Sequence, residues 1–470
     1  MPVRSLTEAL PAAWTRGEIA VLGLARSGRA AAELLRRAGA DVYASDAGTG
    51  DAVSRAVAAL VPLGVHVQTG EHDLARIARS ARVVASPGIP PEAPALASAR
   101  AAGVPVVSEL EIALHFLPHQ RYVAITGTNG KTTTTAITHA LLEGLGHDAV
   151  AAGNIGIPLA EVALRARQPD WIALETSSFQ LHDSPSIAPT AGVLTNLSAN
   201  HLDRYSSVED YFADKSRLFR NASAHSVWVS NADDDHVQRM VQGVRGRHLR
   251  FTIAAGVADG YYDRGHDRLV VLGQPLIDRF QFALLGDHNV ANALAAALAV
   301  MGADQTHALP AGRARIAEAL RAFRALEHRI EPTGAYGGVE WINDSKSTNI
   351  ASTLVALQGM TRPTVLLLGG RHKGEPYTAL AGELRRIVKR VIAYGEAAPL
   401  VAADLAGVVP VDCEDGDFHA VLARARDAAG SGDTVLLSPA CSSYDMFDNY
   451  EERGRAFKRI AATLAAGSGS

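Results

Sequence analysis

Three times this chain runs from a short apolar, β-branched stretch through a glycine-rich turn into a helical pattern, and that recurrence restricts its fold more than any other feature. The first instance spans Glu18 to Asp46, the second Arg121 to Gly146 and the third Thr364 to Gly395. A strand that feeds a helix through a tight turn is built to return to a parallel neighbour, because parallel pairing needs a long crossover. Repeated units of this kind predict an α/β protein of doubly wound parallel sheets covered by helices. Continuous apolar runs such as Val365 to Leu368 suit strands buried on both faces. At 470 residues the chain exceeds what one core holds. The alternation pauses near Leu117-Pro118-His119 and again around Leu326 to Arg329. Three domains follow, 1–111, 112–326 and 327–470, each within the usual domain size.

Composition narrows the partners. A formal net charge of -4 supplies no basic field for nucleic acid or an anionic membrane, so an anionic ligand must be held by loops, lysines or metal ions. Hydrophobic residues at 47% and charged residues at 20% place the chain among globular proteins. Cys413 and Cys441 are the only cysteines, too few for a disulfide framework. No apolar run approaches the roughly 20 residues that span a bilayer, and the first residues lack the apolar stretch of a secretory signal. The expectation is a cytoplasmic protein with no membrane insertion.

The strongest motif is Thr126-Gly127-Thr128-Asn129-Gly130-Lys131-Thr132-Thr133, set between a strand pattern and a helix pattern. Glycines let backbone N–H groups turn inward, and the helix start adds partial positive charge. Lys131 then reaches the β- and γ-phosphates of a nucleotide, and the Thr132 hydroxyl suits Mg²⁺. Ile125 stands where the standard Walker spacing has glycine, so the loop is a shortened variant. Glu175 closes the apolar run Trp171 to Leu174. With Thr132 it makes a Mg²⁺ site, although spacing alone also allows a strand-terminal surface carboxylate. In the first turn, Gly23-Leu24-Ala25-Arg26-Ser27-Gly28, a dinucleotide fingerprint would carry glycine at position 25; Ala25 and Arg26 weigh against NAD. Asp46, at the end of the next strand, suits a ribose or a uracil edge. Asn289 and Asn292 share one helix face, as ligand contacts or as part of a helix start.

The phosphate loop resembles that of the Mur ligase superfamily, which also includes folylpolyglutamate synthase and cyanophycin synthetase. Seven further segments carry the resemblance along nearly the whole chain: Ala152 to Gly156, Glu175 to Gln180, Asn200 to Tyr205, His288 to Asn292, Glu327 to Arg329, Asn343 to Asn349 and Ser438 to Ser443. Several point to the glutamate-adding branch. The Glu-Thr-Ser-Ser-Phe-Gln run argues against a folate enzyme, and the last domain lacks the arginine-containing motif of a diaminopimelate-adding one. The resemblance implies an N-terminal Rossmann-like UDP-binding domain, a central P-loop ATPase-type parallel-sheet domain and a C-terminal Rossmann-like domain that binds glutamate. It implies an ATP-dependent amide ligase adding D-glutamate to UDP-N-acetylmuramoyl-L-alanine through an acyl phosphate, in peptidoglycan precursor synthesis, working as a monomer.

Site residues follow from the same resemblance, position by position. Lys131, His201 and Lys215 are the implied catalytic residues. ATP falls to Gly127, Thr128, Asn129, Gly130, Lys131, Thr132, Thr133, Asn289, Asn292, Arg329, Asp344 and Lys346. The UDP-sugar falls to Arg26, Ser27, Asp46, Ser86, Gly88, Asn154, Ser177 and Gln180. Glutamate falls to Thr348, Lys373, Ser443, Tyr444 and Tyr450; the two tyrosines stand where relatives carry other apolar or aromatic residues. Two Mg²⁺ ions are implied at Thr132, Glu175, His201 and Lys215, with Lys215 carbamylated by CO₂ so that a cation becomes an oxygen donor. On spacing alone Lys215 is an exposed helix lysine and Lys373 a solvated loop lysine. Closure of the last domain over the central one is part of the implied mechanism.

Overall fold

The computed structural model describes residues 10, 11, 14, 16–90, 92–200 and 204–466, and among these the strands form three sheets. In the first, β1 (Ile19–Leu22), β2 (Val42–Asp46), β3 (His66–Thr69), β4 (Arg82–Ala85) and β5 (Val106–Ser108) lie in the order β3-β2-β1-β4-β5, all parallel. The strand order reverses between β1 and β4. In such sheets the crevice at that reversal, beyond the strand C-termini, is where ligands bind. The helix Arg26–Arg37 buries Ala30, Ala31, Leu34 and Leu35 against the sheet, the spacing of one helical stripe. It starts without a side-chain cap, leaving its first N–H groups to other acceptors.

The second sheet contains β6 (Arg121–Thr126), β7 (Ala149–Gly153), β8 (Trp171–Glu175), β9 (Ala191–Leu194), β10 (Val227–Asn231), β11 (Arg247–Thr252), β12 (Gly260–Asp263), β13 (Arg268–Val271) and β14 (Gln274–Asp278). Its order is β14-β13-β12-β11-β10-β9-β6-β8-β7. The seven strands from β12 to β7 run parallel, and β13 and β14 extend the edge as an antiparallel meander. β8 is buried along its whole length, as its unbroken apolar sequence requires. The helix Lys131–Gly144 buries Thr132, Thr133, Thr134, Thr135 and Thr138. Burial of so many hydroxyls is tolerated partly because Thr135 and Thr138 donate to the carbonyls of Lys131 and Thr134, four residues back, at 2.9 and 2.8 Å.

The first and second sheets belong to one compact unit, comprising the chain through Phe282 together with Ala291–Ala322. One hydrophobic cluster runs through both, and polar contacts add to it. Arg29 pairs with Glu161 at 2.7 Å, the Ser108 and Ser184 hydroxyls meet at 2.6 Å, and Glu109 accepts the Ala160 N–H at 2.5 Å.

The other unit, Ala283–Val290 and the chain from Phe323 onward, carries the third sheet. Here β15 (Glu331–Tyr336), β16 (Val339–Asn343), β17 (Thr364–Gly369), β18 (Val388–Tyr394), β19 (Val411–Glu414) and β20 (Thr434–Leu437) take the order β15-β16-β20-β17-β18-β19. Only β15 is antiparallel. Val365 to Leu368 are wholly buried between two hydrophobic clusters, one on each face. The three-sheet α/β architecture is the one the sequence pattern predicts; the antiparallel β13, β14 and β15 are additions it does not reveal. No described helix is long and apolar enough to cross a membrane.

Candidate functional site

The phosphate loop leaves β6 and enters the helix at Lys131. Gly127 has φ +143° and Gly130 φ +81°, and a Cβ at either would collide with a neighbour, the Thr195 hydroxyl or the Asn292 carboxamide. Only glycine suits both positions. Side chains around the loop fix its shape: the Asn196 carboxamide accepts the Asn129 N–H at 2.8 Å, and the Thr195 hydroxyl donates to the Asn129 carbonyl at 2.6 Å. Lys131 Nζ bends back onto the loop, donating to the Gly127 and Thr128 carbonyls at 2.9 and 2.7 Å. Thr132 and Thr133 are buried in the first helical turn.

Glu175 ends β8, with Ile125 of β6 opposite it on one side and Gly153 of β7 on the other. It is 1% exposed, which removes the surface-carboxylate alternative. Its Oε1 accepts from Asn154 Nδ2 at 2.8 Å, whereas Oε2 is buried and has no hydrogen-bond partner among the described residues. A stranded carboxylate oxygen costs free energy unless something meets it, and an oxygen of this kind suits a hard divalent cation.

Lys215 is also 1% exposed, so it is not the solvated helix lysine that spacing suggests. Its Nζ donates to the Gly127 carbonyl at 2.8 Å and lies 4.6 Å from the Tyr211 ring centroid. Burial and then the nearby Lys131 hold its amine well below the usual lysine range, against the opposing pull of Glu175 and Asp214. The neutral amine is the form that adds CO₂. His201 lies outside the described residues. The remaining ATP residues separate. Asn292 accepts from the Thr134 hydroxyl at 3.1 Å behind the loop, while Asn289 donates to the Leu285 carbonyl at 2.7 Å and serves its helix start.

Around the first sheet, Asp46 is committed to backbone. Its Oδ2 accepts the Leu24 N–H and its Oδ1 the Gly48 N–H, both at 2.7 Å, tying the β1 turn to the end of β2. Ser86 donates to the Gly23 carbonyl at 3.1 Å, Arg26 and Gly88 are exposed, and Ser27 is half-buried at the helix start. Ser177 and Gln180 cap one another at the start of the helix Ser178–His182. Gln180 Nε2 is buried with no partner among the described residues, and Gln180 and Ser86 both line a cavity of about 310 Å³.

In the third sheet's unit, Asp344 accepts the Ile330 N–H at 3.2 Å and the Ser438 hydroxyl at 2.8 Å, and burial pushes its carboxyl up to about 6. Lys346 Nζ lies 5.2 Å from the Tyr450 ring centroid, and Arg329 is half-buried. Lys373 Nζ donates to Thr348 Oγ1 at 3.2 Å, so two of the glutamate residues meet; Lys373 is exposed, as spacing suggests. Ser443 is buried and Tyr444 is exposed. Sequence reasoning missed Arg453. Fully buried on the helix Tyr450–Ala466, it donates to Ser345 Oγ, the Ser345 carbonyl and the Cys441 carbonyl at 2.9, 2.8 and 3.1 Å. The signal was present: Arg453 heads the stripe continued by Phe457, Ala461 and Leu464.

A phosphate loop on a parallel sheet, beside a buried carboxylate, in a chain that carries two further α/β sheets, defines a multidomain nucleotide-dependent enzyme. The chain belongs to the Mur ligase family: residues 17–108 match the MurD-like N-terminal domain, 125–300 the Mur ligase middle domain and 328–441 the glutamate ligase domain of Mur ligases. The UDP-N-acetylmuramoylalanine--D-glutamate ligase of Acidobacterium capsulatum is 37% identical, with 94% of this chain and 95% of that protein covered. The ligase of the same name from Anaeromyxobacter dehalogenans is 40% identical over 95% of this chain and 98% of its own. Among solved structures, UDP-N-acetylmuramate-alanine ligase MurC of Thermotoga maritima shares the fold at a TM-score of 0.60 and 18% identity, covering 96% of this chain and 100% of that one.

Proposed function

We propose that this chain is an ATP-dependent amide ligase that joins D-glutamate to UDP-N-acetylmuramoyl-L-alanine, releasing ADP and phosphate in the cytoplasmic synthesis of peptidoglycan precursor. The observation that carries the reading is the buried, partnerless oxygen of Glu175 one strand away from the Gly127–Lys131 loop. A triphosphate cradled by that loop brings several negative charges beside a carboxylate, an arrangement that holds only with a cation between them. Magnesium, when bound, supplies that neutralisation and polarises the γ-phosphoryl group. Thr132 and Glu175 are the residues present to hold it, and Lys215 joins them only as a carbamate, since its Nζ here is a donor to Gly127.

In the proposed reaction the alanyl carboxylate attacks the γ-phosphorus of ATP and the bond to the β-phosphate oxygen breaks, releasing ADP. The acyl phosphate that forms is an activated acid. The glutamate amine attacks its carbonyl carbon, loses a proton, and phosphate departs as the amide closes. Lys131 offsets the negative charge that grows on the transferred group, exchanging its two loop carbonyls for phosphate oxygens. Arg26 and Ser27, at an uncapped helix start, are assigned to the diphosphate, and Asp46 holds the turn that faces the uridine. Lys373 and Thr348, already hydrogen-bonded, are assigned to one glutamate carboxylate, with Ser443, Tyr444 and Tyr450 at the other.

The test is ADP release by the purified chain with each substrate omitted in turn and with D- and L-glutamate compared. Release requires ATP, the UDP-sugar and D-glutamate together, and Lys131→Ala abolishes it. Release indifferent to the UDP-sugar, or amide formation by Lys131→Ala at the parental rate, refutes the assignment.

A further inference from the structure

Asp214 sits one residue before Lys215, in the last turn of the helix Val208–Ser216, and is 6% exposed. An acidic side chain there is doubly disfavoured, because burial strips its hydration and the helix C-terminus carries partial negative charge. Three donors from three segments offset that cost. His182 Nδ1, at the end of the Ser178–His182 helix, lies 2.7 Å from Asp214 Oδ1. Arg217 Nε lies 2.9 Å from the same oxygen, and the Tyr205 hydroxyl donates to Oδ2 at 3.0 Å. Tyr205 in turn stacks on Phe179, with ring centroids 5.3 Å apart and planes 13° from parallel. Arg204 lies over the Phe179 ring, its guanidinium 5.2 Å from the centroid and directed at the Pro87 and Gly88 carbonyls.

Phe179, Tyr205, Arg204 and Asp214 all line the cavity of about 310 Å³ that Ser86 and Gln180 also line. The Tyr205 phenol meets the Ser178 side chain and donates to Asp214, so the buried carboxylate helps to set its ring orientation. We infer that Asp214 is a positioning residue: by anchoring Tyr205 it sets the aromatic wall of this cavity, and through that wall the affinity for the sugar portion of the UDP-linked substrate. The inference rests on the proposed assignment of Ser86 and Gln180 to that substrate. Asp214 also pulls on the neighbouring Lys215 amine, so fit and chemistry are separated by Tyr205→Phe, which leaves the Asp214 charge in place.

The experiment is steady-state kinetics of Asp214→Ala, Asp214→Asn and Tyr205→Phe in the full chain, with backbone hydrogen exchange over residues 204–210. Asp214→Ala raises KM for the UDP-sugar about tenfold, with KM for ATP and glutamate unchanged. Tyr205→Phe, which deletes that hydrogen bond together with the one to Ser178 and leaves the Asp214 charge in place, shares the effect with kcat within about twofold. Asp214→Asn keeps an acceptor for Tyr205 and returns KM to within about threefold of the parent. Exchange across 204–210 accelerates in Asp214→Ala alone of the two Asp214 variants. An unchanged KM, a fall in kcat with all three KM values moving together, or Asp214→Asn as impaired as Asp214→Ala overturns the inference. If the parent itself shows no UDP-sugar-dependent ADP release, the substrate assignment fails, and unaltered exchange in Asp214→Ala then overturns the positioning claim separately.

Discussion

Replacing Arg453 by methionine removes a guanidinium that ties two loops of the third sheet's unit together, and its cost can be worked from the acceptors left behind. The side chain donates to Ser345 Oγ, the Ser345 carbonyl and the Cys441 carbonyl at 2.8–3.1 Å, and to the Ser442 carbonyl at a longer 3.4 Å. Two of the four lose little. Ser442 keeps the Arg371 N–H at 2.9 Å, and the Ser345 hydroxyl still donates to the Tyr450 carbonyl at 2.9 Å. The Ser345 and Cys441 carbonyls are stranded, and a buried acceptor left without a donor costs roughly 1–3 kcal/mol. Two such groups cost about 4 kcal/mol, and methionine's apolar end returns on the order of 1 kcal/mol. The expected loss is about 3 kcal/mol, a large part of an ordinary domain's stability. Urea unfolding of the full chain reads it best through Trp341, which packs beside Phe457 on the same helix as Arg453. Ser345 precedes Lys346 and Thr348, and Cys441 precedes Ser443, so the same variant raises KM for glutamate under the proposed assignment. An unfolding midpoint that moves by less than the equivalent of about 1 kcal/mol refutes the reasoning, because the carbonyls would then have found other donors.

Other substitutions probe the central sheet. Glu175→Gln keeps an acceptor for Asn154 and removes the partnerless carboxylate oxygen; ADP release falls on the order of 100-fold, while the thermal midpoint stays level or rises. Lys215→Met retains length without a desolvated amine, so it unfolds no earlier than the parent yet loses ADP release, and formate restores part of the activity to Lys215→Ala if a carbamate is the working form. Glu109 titrates oppositely to most carboxylates. Burial pushes it up to about 7, chiefly against the pull of the Ala160 N–H, so the folded state keeps a proton that the unfolded chain releases near pH 4.5. Between those values the unfolded state binds fewer protons, and stability falls as pH rises, by about 3 kcal/mol in all. Glu109→Gln removes that slope; equal pH dependence of the two proteins in urea titrations from pH 4.5 to 8 refutes it.

How much of this was legible in advance depends on how local the cause is. The three strand–turn–helix units and the phosphate loop follow from residues adjacent in sequence, and glycine at 127 and 130 is demanded by backbone geometry that the loop sets for itself. Val365 to Leu368 announce a doubly covered strand by composition alone. Glu175 was readable as a carboxylate closing an apolar strand, with a surface position left open, but Lys215 was found only through the resemblance, because burial is a property of what packs over a residue: nothing in Tyr-Phe-Ala-Asp-Lys-Ser distinguishes a lysine folded beneath Gly127 from one in solvent. The same blindness hid Asp214, whose three donors arrive from positions 182, 205 and 217. The antiparallel strands β13 to β15 escaped for a different reason. All three are short, so period-two alternation barely registers; β14 and β15 are also half-polar edge strands with no second neighbour to enforce it. Arg453 is the instructive intermediate. A cation on an apolar helical stripe is costly unless carbonyls await it, so its place in the stripe with Phe457 and Leu464 already implied a polar nest inside the domain, though not which loops would supply the oxygens.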